Sequence, residues 1–477
     1  MLPRRFLQRG VLVCPFLGAA AGTRGPAAAT CCSLPYRTCT TTTTIPSSNN
    51  APAASSFAYA PLVSGNADSG VRDAHEGMCN LTDVMASSAP ASVGVDRRVT
   101  GGDMLWMIDI CAARAATKHV LGHFVATGTP RFDHSHTAQK HSPAPAMDDA
   151  SQPMAPSSGT LSSSPPKPKP APPQLSTATV AMDAVVFRHP VASGDVVTME
   201  GTVVCCGSTS LAVDVRVSRI QFPTRVKQFV ANATVFMVAI DRNTMKPAKG
   251  AVPAVRLSSP SHISQHYEAT AAKDSHRLRD EEMGRIRQSV DFDLDTLLDE
   301  VNKKKKFHVP MKDTIMTASR MYFQGELNVN DTVFGGEILK WMETHAAECG
   351  RFFARNRRVV TLGVHSLEFR HPIYHTDWVS LTSRVVYVRH STLEVDVEVS
   401  VERKGGVTTV TNVASFILVS LDEASRPLEI DCGIALRKPT DLPGTPQFDE
   451  DIECVRRYAC AKFRYDWSRE HRRYCLR

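Results

Sequence analysis

The chain has 477 residues, room for two or three domains, and 42% of them are apolar, with no run approaching the ~20 that a membrane-spanning helix needs. Its net charge of +7 sits at the ends: residues 1–67 hold five Arg with no Lys or acid, and the stretch from Cys454 holds eight Lys or Arg against two acids. Removing +5 and +6 leaves the body near −4, which gives no support for a protein that coats nucleic acid.

In chain order, residues 1–67 open as "MLPRRFLQRGVLVCPFLGAAAGTRG" and run into "TCTTTTTIPSSNN", which offers nothing to build a core. Arginine-rich and acid-free, the segment reads as a mitochondrial transit peptide or disordered leader; a secretory signal with "VLVCPFLGAAA" as its apolar region is the rival. The thirteen cysteines show no CxxC spacing and include adjacent Cys205 and Cys206, the pattern of free thiols in a reducing compartment such as the matrix.

Residues 78–245 form the first domain. Within it "VTGGDMLWMIDICAARAA", from Val99, predicts a helix apolar around most of its circumference but carrying Asp109. A Pro-, Ser- and Ala-rich stretch at about 128–176 predicts a disordered insertion, a spacer or a proline-rich docking patch. Strands follow, alternation being clear in "DVVTMEGTVVCC". Residues 246–308 read as a charged helical linker ending in the solvated run "KKKK" at 303–306. Residues 309–430 form the second domain, with "VFGGEILKWMETHAAECG" as a second buried helix that carries Glu343. The tail, 431–477, interleaves arginine with aromatics, as an RNA-stacking surface or an amphipathic cap on the second domain would.

The two domains are copies. "AVVFRHPVASGDVVTMEGTVVCCGSTSLAVDVRV" aligns without a gap on "SLEFRHPIYHTDWVSLTSRVVYVRHSTLEVDVEV", which sets Phe187 on Phe369, Pro190 on Pro372 and Asp214 on Asp396. The Gly-Gly motifs at Gly101 and Gly335 lie farther apart along the chain than the FRHP strands do. The first copy therefore carries extra chain between its helix and its FRHP strand, and that is the insertion. A largely apolar helix followed by long alternating strands requires a sheet wrapped around the helix. His189 and His371, within the paired FRHP strands, read as strand-end residues, and Asp195 and Asp377 as turn formers.

At these residues the chain resembles the acyl-CoA thioesterases of the double-hotdog type. The resemblance rests on "NVNDTVFGGEILKWME" from Asn328, on "GGDMLWMIDICA" from Gly101 and on both FRHP strands, and it covers 78–245 without the insertion and 309–430. It implies an α+β fold of tandem hotdog domains, each an antiparallel sheet wrapped around a central helix, paired as a pseudo-dimer. It implies hydrolysis of fatty acyl-CoA to free acid and CoA at the seam, where an Asn from one unit's loop meets a carboxylate from the other unit's helix. Asn328 then pairs with Asp109. The other pair would be Glu343 with the position seven before Gly101, which is Gly94, so that second site is degenerate or structural. No cofactor is implied, coenzyme A being part of the substrate; the expected partners are acyl-CoA and further copies of the chain, as a trimer of two-unit chains, with no membrane span and no nucleic acid.

The residue types suit the chemistry. Thioester hydrolysis passes through a tetrahedral oxyanion, and the first turn of a helix offers unpaired N–H groups and a positive dipole end. Gly335 and Gly336 lack the Cβ that would hold a thioester away, and make the mouth of an oxyanion site beside Asn328. Asp109 then serves as general base toward water or as a nucleophile. Two other classes stay open at this stage. A catalytically inactive hotdog scaffold of a mitochondrial assembly would explain the incomplete second site and the basic tail. A hotdog dehydratase would require a histidine base, and neither pre-helix loop contains one.

Overall fold

The computed structural model describes residues 61–86, 98–122, 174–221, 224–403, 406–439 and 443–475. The leader up to residue 60, Gly94 and most of the insertion (123–173) lie outside the described residues.

The first repeat comprises β1 (Cys79–Val84), α1 (Gly101–Leu121), β2 (Leu175–Met182), β3 (Val196–Cys206), β4 (Ser210–Gln221) and β5 (Val226–Asp241). After α2 (Pro260–Gln288), the second repeat comprises β6 (Met316–Arg320), α3 (Gly335–Ala354), β7 (Val359–Phe369), β8 (Trp378–Arg389), β9 (Thr392–Arg403) and β10 (Val407–Ser420), and α4 (Pro446–Cys475) follows. The strands join in the order β6-β8-β9-β10-β7-β2-β5-β4-β3-β1, so the second half of the path repeats the first in reverse. At the centre β7 and β2 pair antiparallel, Leu367 opposite Met182, and Val364 lies opposite Val185 just beyond β2. The alignment that sets Phe187 on Phe369 also sets Val185 on Leu367 and Met182 on Val364. Each of these two pairs therefore maps onto the other, as a pseudo-two-fold axis demands.

Both central helices sit against the concave face of this sheet. Leu105, Ile108, Cys111, Ala112, Ala115 and Ala116 of α1 and Leu339, Met342, Ala346 and Ala347 of α3 are all buried, which explains why so little of either helix is polar. α1 begins with a Thr100 cap, whose hydroxyl accepts from Asp103 N–H at 3.0 Å, and ends on Gly122 in the left-handed region at φ 79°. The two helices meet through their N-terminal halves. Trp106 Nε1 donates to Glu337 Oε1 at 2.9 Å, and Lys340 Nζ meets Asp103 Oδ1 at 2.8 Å. The register that sets Gly101 on Gly335 sets Asp103 on Glu337 and Trp106 on Lys340, so these are one contact made twice.

Four sequence expectations need correction. Folded structure begins before residue 67, because Leu62–Ser64 pairs with Ala254–Leu257. The insertion ends earlier than 176, since Leu175 and Ser176 open β2 and pair with Asp241 and Ile240. Within "KKKK", Lys305 is buried: its ammonium donates to the carbonyls of Ile430 (2.7 Å) and His390 (3.2 Å), fixing the start of the second repeat to its end. The folded second repeat also reaches beyond 430 and starts before 309, because Phe307–Pro310 pairs parallel with Cys432–Ala435.

The helix in the tail forms a cap, with Arg456, Arg457 and Arg464 turned to the protein. α4 lies on β8 and against α2, with Tyr458 fully buried and its ring 5.3 Å from that of Tyr387. Arg464, also buried, donates from Nε to Glu394 (2.6 Å) and from Nη2 to Asp396 (2.9 Å). Both acids stand on the outer face of β9, whose inner face holds Val395 and Val397. Among the described residues no helix is long and apolar enough to cross a membrane.

Candidate active site

Asp109 is 1% exposed, two turns into α1, where apolar neighbours otherwise close the helix in. Two donors hold it. Thr179 Oγ1 on β2 donates at 2.7 Å, and the backbone N–H of Gly336, at the N-terminus of the other repeat's helix, makes a second hydrogen bond. Phe334, at the N-cap of α3, offers no side-chain acceptor, so Asp109 supplies across the seam the negative charge that a helix N-terminus favours. Burial pushes the Asp109 carboxyl up to about 6, against the downward pull of both donors.

The glycine at the start of α3 leaves room for this carboxylate. A Cβ on Gly335 would lie 2.8 Å from Asp109 Oδ2 and 3.3 Å from the Phe369 ring. Gly335 lines a cavity of about 320 Å³ together with Asp109, Thr179, Asn328, Thr332 and Phe369. As the first residue of α3, its N–H has no acceptor within the helix and stands at the positive end of the dipole. The Gly336 N–H beside it favours the ionised form of the Asp109 carboxyl.

Asn328 reaches the same cavity from the loop before α3. Its Oδ1 accepts from Asn330 N–H at 2.8 Å, and its Nδ2 donates to Thr332 Oγ1 at 2.9 Å. This local turn, which places Asp331 at φ 57°, locks the carboxamide orientation and leaves the second Nδ2 hydrogen unused by that bond. Asp109 of the first repeat and Asn328 of the second line one cavity at the seam.

A second cavity of about 440 Å³ repeats the arrangement around Glu343, which is 3% exposed. Thr361 Oγ1 donates to it at 2.6 Å and Gly102 N–H makes a backbone hydrogen bond, the counterparts of Thr179 and Gly336. Burial raises the Glu343 carboxyl from its ordinary range. A Cβ on Gly101 would meet Glu343 Oε1 at 3.1 Å, as Gly335 meets Asp109. His371 lines the first cavity and His189 the second. His345 packs inside, its Nδ1 2.9 Å from Ser383 Oγ. Among the described residues no cluster of His, Cys, Asp and Glu is arranged to hold a metal ion.

The residues missed from sequence are Thr179 and Thr361. Each holds a buried carboxylate, and they stand in the same register as Phe187 and Phe369 of the FRHP strands, so extending that alignment upstream would have paired them.

The sequence profile described as the thioesterase superfamily matches residues 168–221 and 330–408, one segment in each repeat. An uncharacterized acyl-CoA thioester hydrolase of Bacillus subtilis is 28% identical over 120 residues, 25% of this chain and 69% of that protein. One of Buchnera aphidicola is 27% identical over 130 residues, 26% of this chain and 94% of that protein. Among solved structures, an acyl-CoA hydrolase of Staphylococcus aureus, in complex with butyryl-CoA and CoA, is 23% identical with a TM-score of 0.28, covering 36% of this chain and 99% of that one. With one matched segment in each copy of a helix-wrapping antiparallel sheet, the chain has a tandem hotdog fold and is similar in both repeats to the thioesterase superfamily.

Proposed function

We propose that this protein hydrolyses acyl-CoA to the free acid and CoA, at one composite site built from Asp109 of the first repeat and Asn328, Gly335 and Gly336 of the second. The observation that carries the reading is the placement of a buried carboxylate and a pre-oriented carboxamide, from opposite repeats, on one cavity beside a half-buried first-turn glycine. The names of the bacterial relatives point to the same chemistry.

With its carboxyl near 6, Asp109 is mostly ionised above neutral pH and can take a proton from water or attack the thioester carbonyl itself. In the general-base route the water oxygen bonds to the carbonyl carbon, and Asp109 receives the proton. The oxyanion forms against the Gly335 N–H and the Asn328 Nδ2, and the C–S bond then breaks as the proton passes to the CoA sulfur. Glu343 has the same supports, but its partner position is Gly94, which carries no amide side chain, so the second cavity is assigned no hydrolysis in this reading.

The Arg-rich, acid-free residues 1–67 support import into the mitochondrial matrix, and assembly of two-repeat chains as a trimer is part of the proposal. Thiol release from acyl-CoAs of several chain lengths tests the activity. Asp109→Ala and Asn328→Ala are each expected to lose over about 100-fold in kcat, the scale for removing a general base or an oxyanion donor. No turnover by the unmodified chain would overturn the reading in favour of a hotdog scaffold without catalysis.

A further inference from the structure

The two cavities differ at the ends that lie farther along the central helices. Asp109, Ala113 and Thr117, successive turns of α1, line the first; Glu343, Ala347 and Arg351, the matching positions of α3, line the second. In the first cavity Thr117 shares a hydrogen bond with Thr177, hydroxyl to hydroxyl at 2.9 Å. In the second, that place belongs to an arginine. Eight positions along α3 put Arg351 about 12 Å from Glu343 along the axis, and helical side chains lean toward the N-terminus, which here is toward Glu343.

Arg351 is a cation without a partner. It is half-buried, its Nε has no hydrogen-bond acceptor, and among the described residues no carboxylate lies within ion-pair distance. Glu343 and Glu348, both lining the cavity, attract it only from farther off, and burial lowers the guanidinium's affinity for its proton. Three buried cations of the molecule are matched: Arg219 with Asp195 at 3.0 Å, Arg464 with Glu394 and Asp396, and Lys305 with carbonyls. Partly desolvated guanidinium groups are normally paired, because leaving them unmatched is costly. The guanidinium fork fits a carboxylate through two parallel hydrogen bonds.

An acyl chain laid along α3 with its thioester at Glu343 brings its far end to Arg351. A methyl terminus would leave the cation desolvated and unmatched; an anionic terminus would complete it. We propose that the second cavity is a binding site for acyl thioesters whose chain ends in a carboxylate, and that Arg351 pairs with that terminal carboxylate. The inference rests on the reading of the first cavity as an acyl-thioester site, extends binding without hydrolysis to its repeat-related counterpart, and gives that second cavity a ligand class that the first, ending in hydroxyls, does not select.

Non-hydrolysable thioethers separate this from catalysis. S-alkyl-CoA and S-(ω-carboxyalkyl)-CoA of matched length, over a series of lengths, are titrated calorimetrically into the full chain and into its Asp109→Asn, Arg351→Gln and Arg351→Lys variants, with melting curves to check that each is folded. At the best-fitting length the carboxylated ligand is expected to bind about 10- to 100-fold more tightly, the range for a hydrogen bond to a charged group. Arg351→Gln should abolish that preference, Arg351→Lys should keep part of it, and Asp109→Asn should leave it intact. Equal affinities in the unmodified chain, no binding of either ligand, or a preference that survives Arg351→Gln would overturn the proposal. Loss of the preference in Asp109→Asn instead would move it to the first cavity and overturn it equally. Because binding is read without turnover, absence of hydrolysis would count against the proposed function and leave this result standing.

Discussion

The Thr179 hydroxyl donates a 2.7 Å hydrogen bond to Asp109, and at the matching position of the second repeat Thr361 does the same for Glu343 at 2.6 Å. Each hydroxyl stabilises the ionised carboxylate against burial. Thr179→Val removes the donor while keeping the shape, so the Asp109 carboxyl should rise further above 6. The acid limb of the kcat/KM profile should move to higher pH, with a loss of about tenfold near neutrality, the worth of one hydrogen bond to a charge. A uniform loss at every pH, with the limb unmoved, would contradict this role.

Gly335→Ala tests the approach to the carboxylate. Its Cβ would stand 2.8 Å from Asp109 Oδ2, so either Asp109 turns away or α3 shifts. A loss of about 100-fold in kcat is expected, since misplacement by an ångström costs that much. Melting temperature should change little, because alanine suits the first turn of a helix. Equal activity in the variant would show that the space over Gly335 is not used by substrate.

Asp109 should make the fold less stable at the pH where it works. Its folded value is about 6 against 3.8 for an unperturbed carboxyl, so folding favours the protonated form. That contribution is fully present below pH 3.8 and is lost as pH rises through about 6, amounting to about 3 kcal/mol of destabilisation above it. Thermal melts should show Asp109→Asn more stable than the unmodified chain at about pH 8, with the difference gone near pH 4. An increment that does not depend on pH would contradict the linkage.

The C-terminal helix is anchored by charge. Burial raises Glu394 to about 7 even with Arg464 beside it, so removing the arginine leaves two acids enclosed without their cation. Arg464→Ala is expected to cost about 3–5 kcal/mol, the scale for breaking a buried pair from one side. Limited proteolysis should then release fragments ending within Pro446–Cys475 before the rest of the chain is cut. Unchanged melting and cleavage would contradict the anchoring.

The repeat made much of this legible in sequence. The matched FRHP strands and the matched Gly-Gly motifs located both helices and both carboxylates, because a duplicated unit keeps its spacing wherever the core fixes it, while Asn328 came from the family resemblance alone. What stayed hidden depends on contacts between segments distant in the chain. The acids of "LEVDVEVSVER" alternate as a solvated strand face should, and only the packed tail turns Glu394 and Asp396 into buried partners of Arg464. Lys305 looks solvated among four lysines until the Ile430 carbonyl is placed beside it. Thr179 and Thr361 lie upstream of the stretch in which the copies match most closely, and that they hold the two carboxylates shows only at the seam.

The central claim is an unequal pair of sites, with catalysis at the one that joins Asp109 to Asn328. The most direct test is kcat/KM for a neutral acyl-CoA in Asp109→Asn, Asn328→Ala and Glu343→Gln, each measured beside the unmodified chain. The account predicts losses over about 100-fold in the first two and a small change in the third. Equal losses in all three, or a large loss confined to Glu343→Gln, would contradict it.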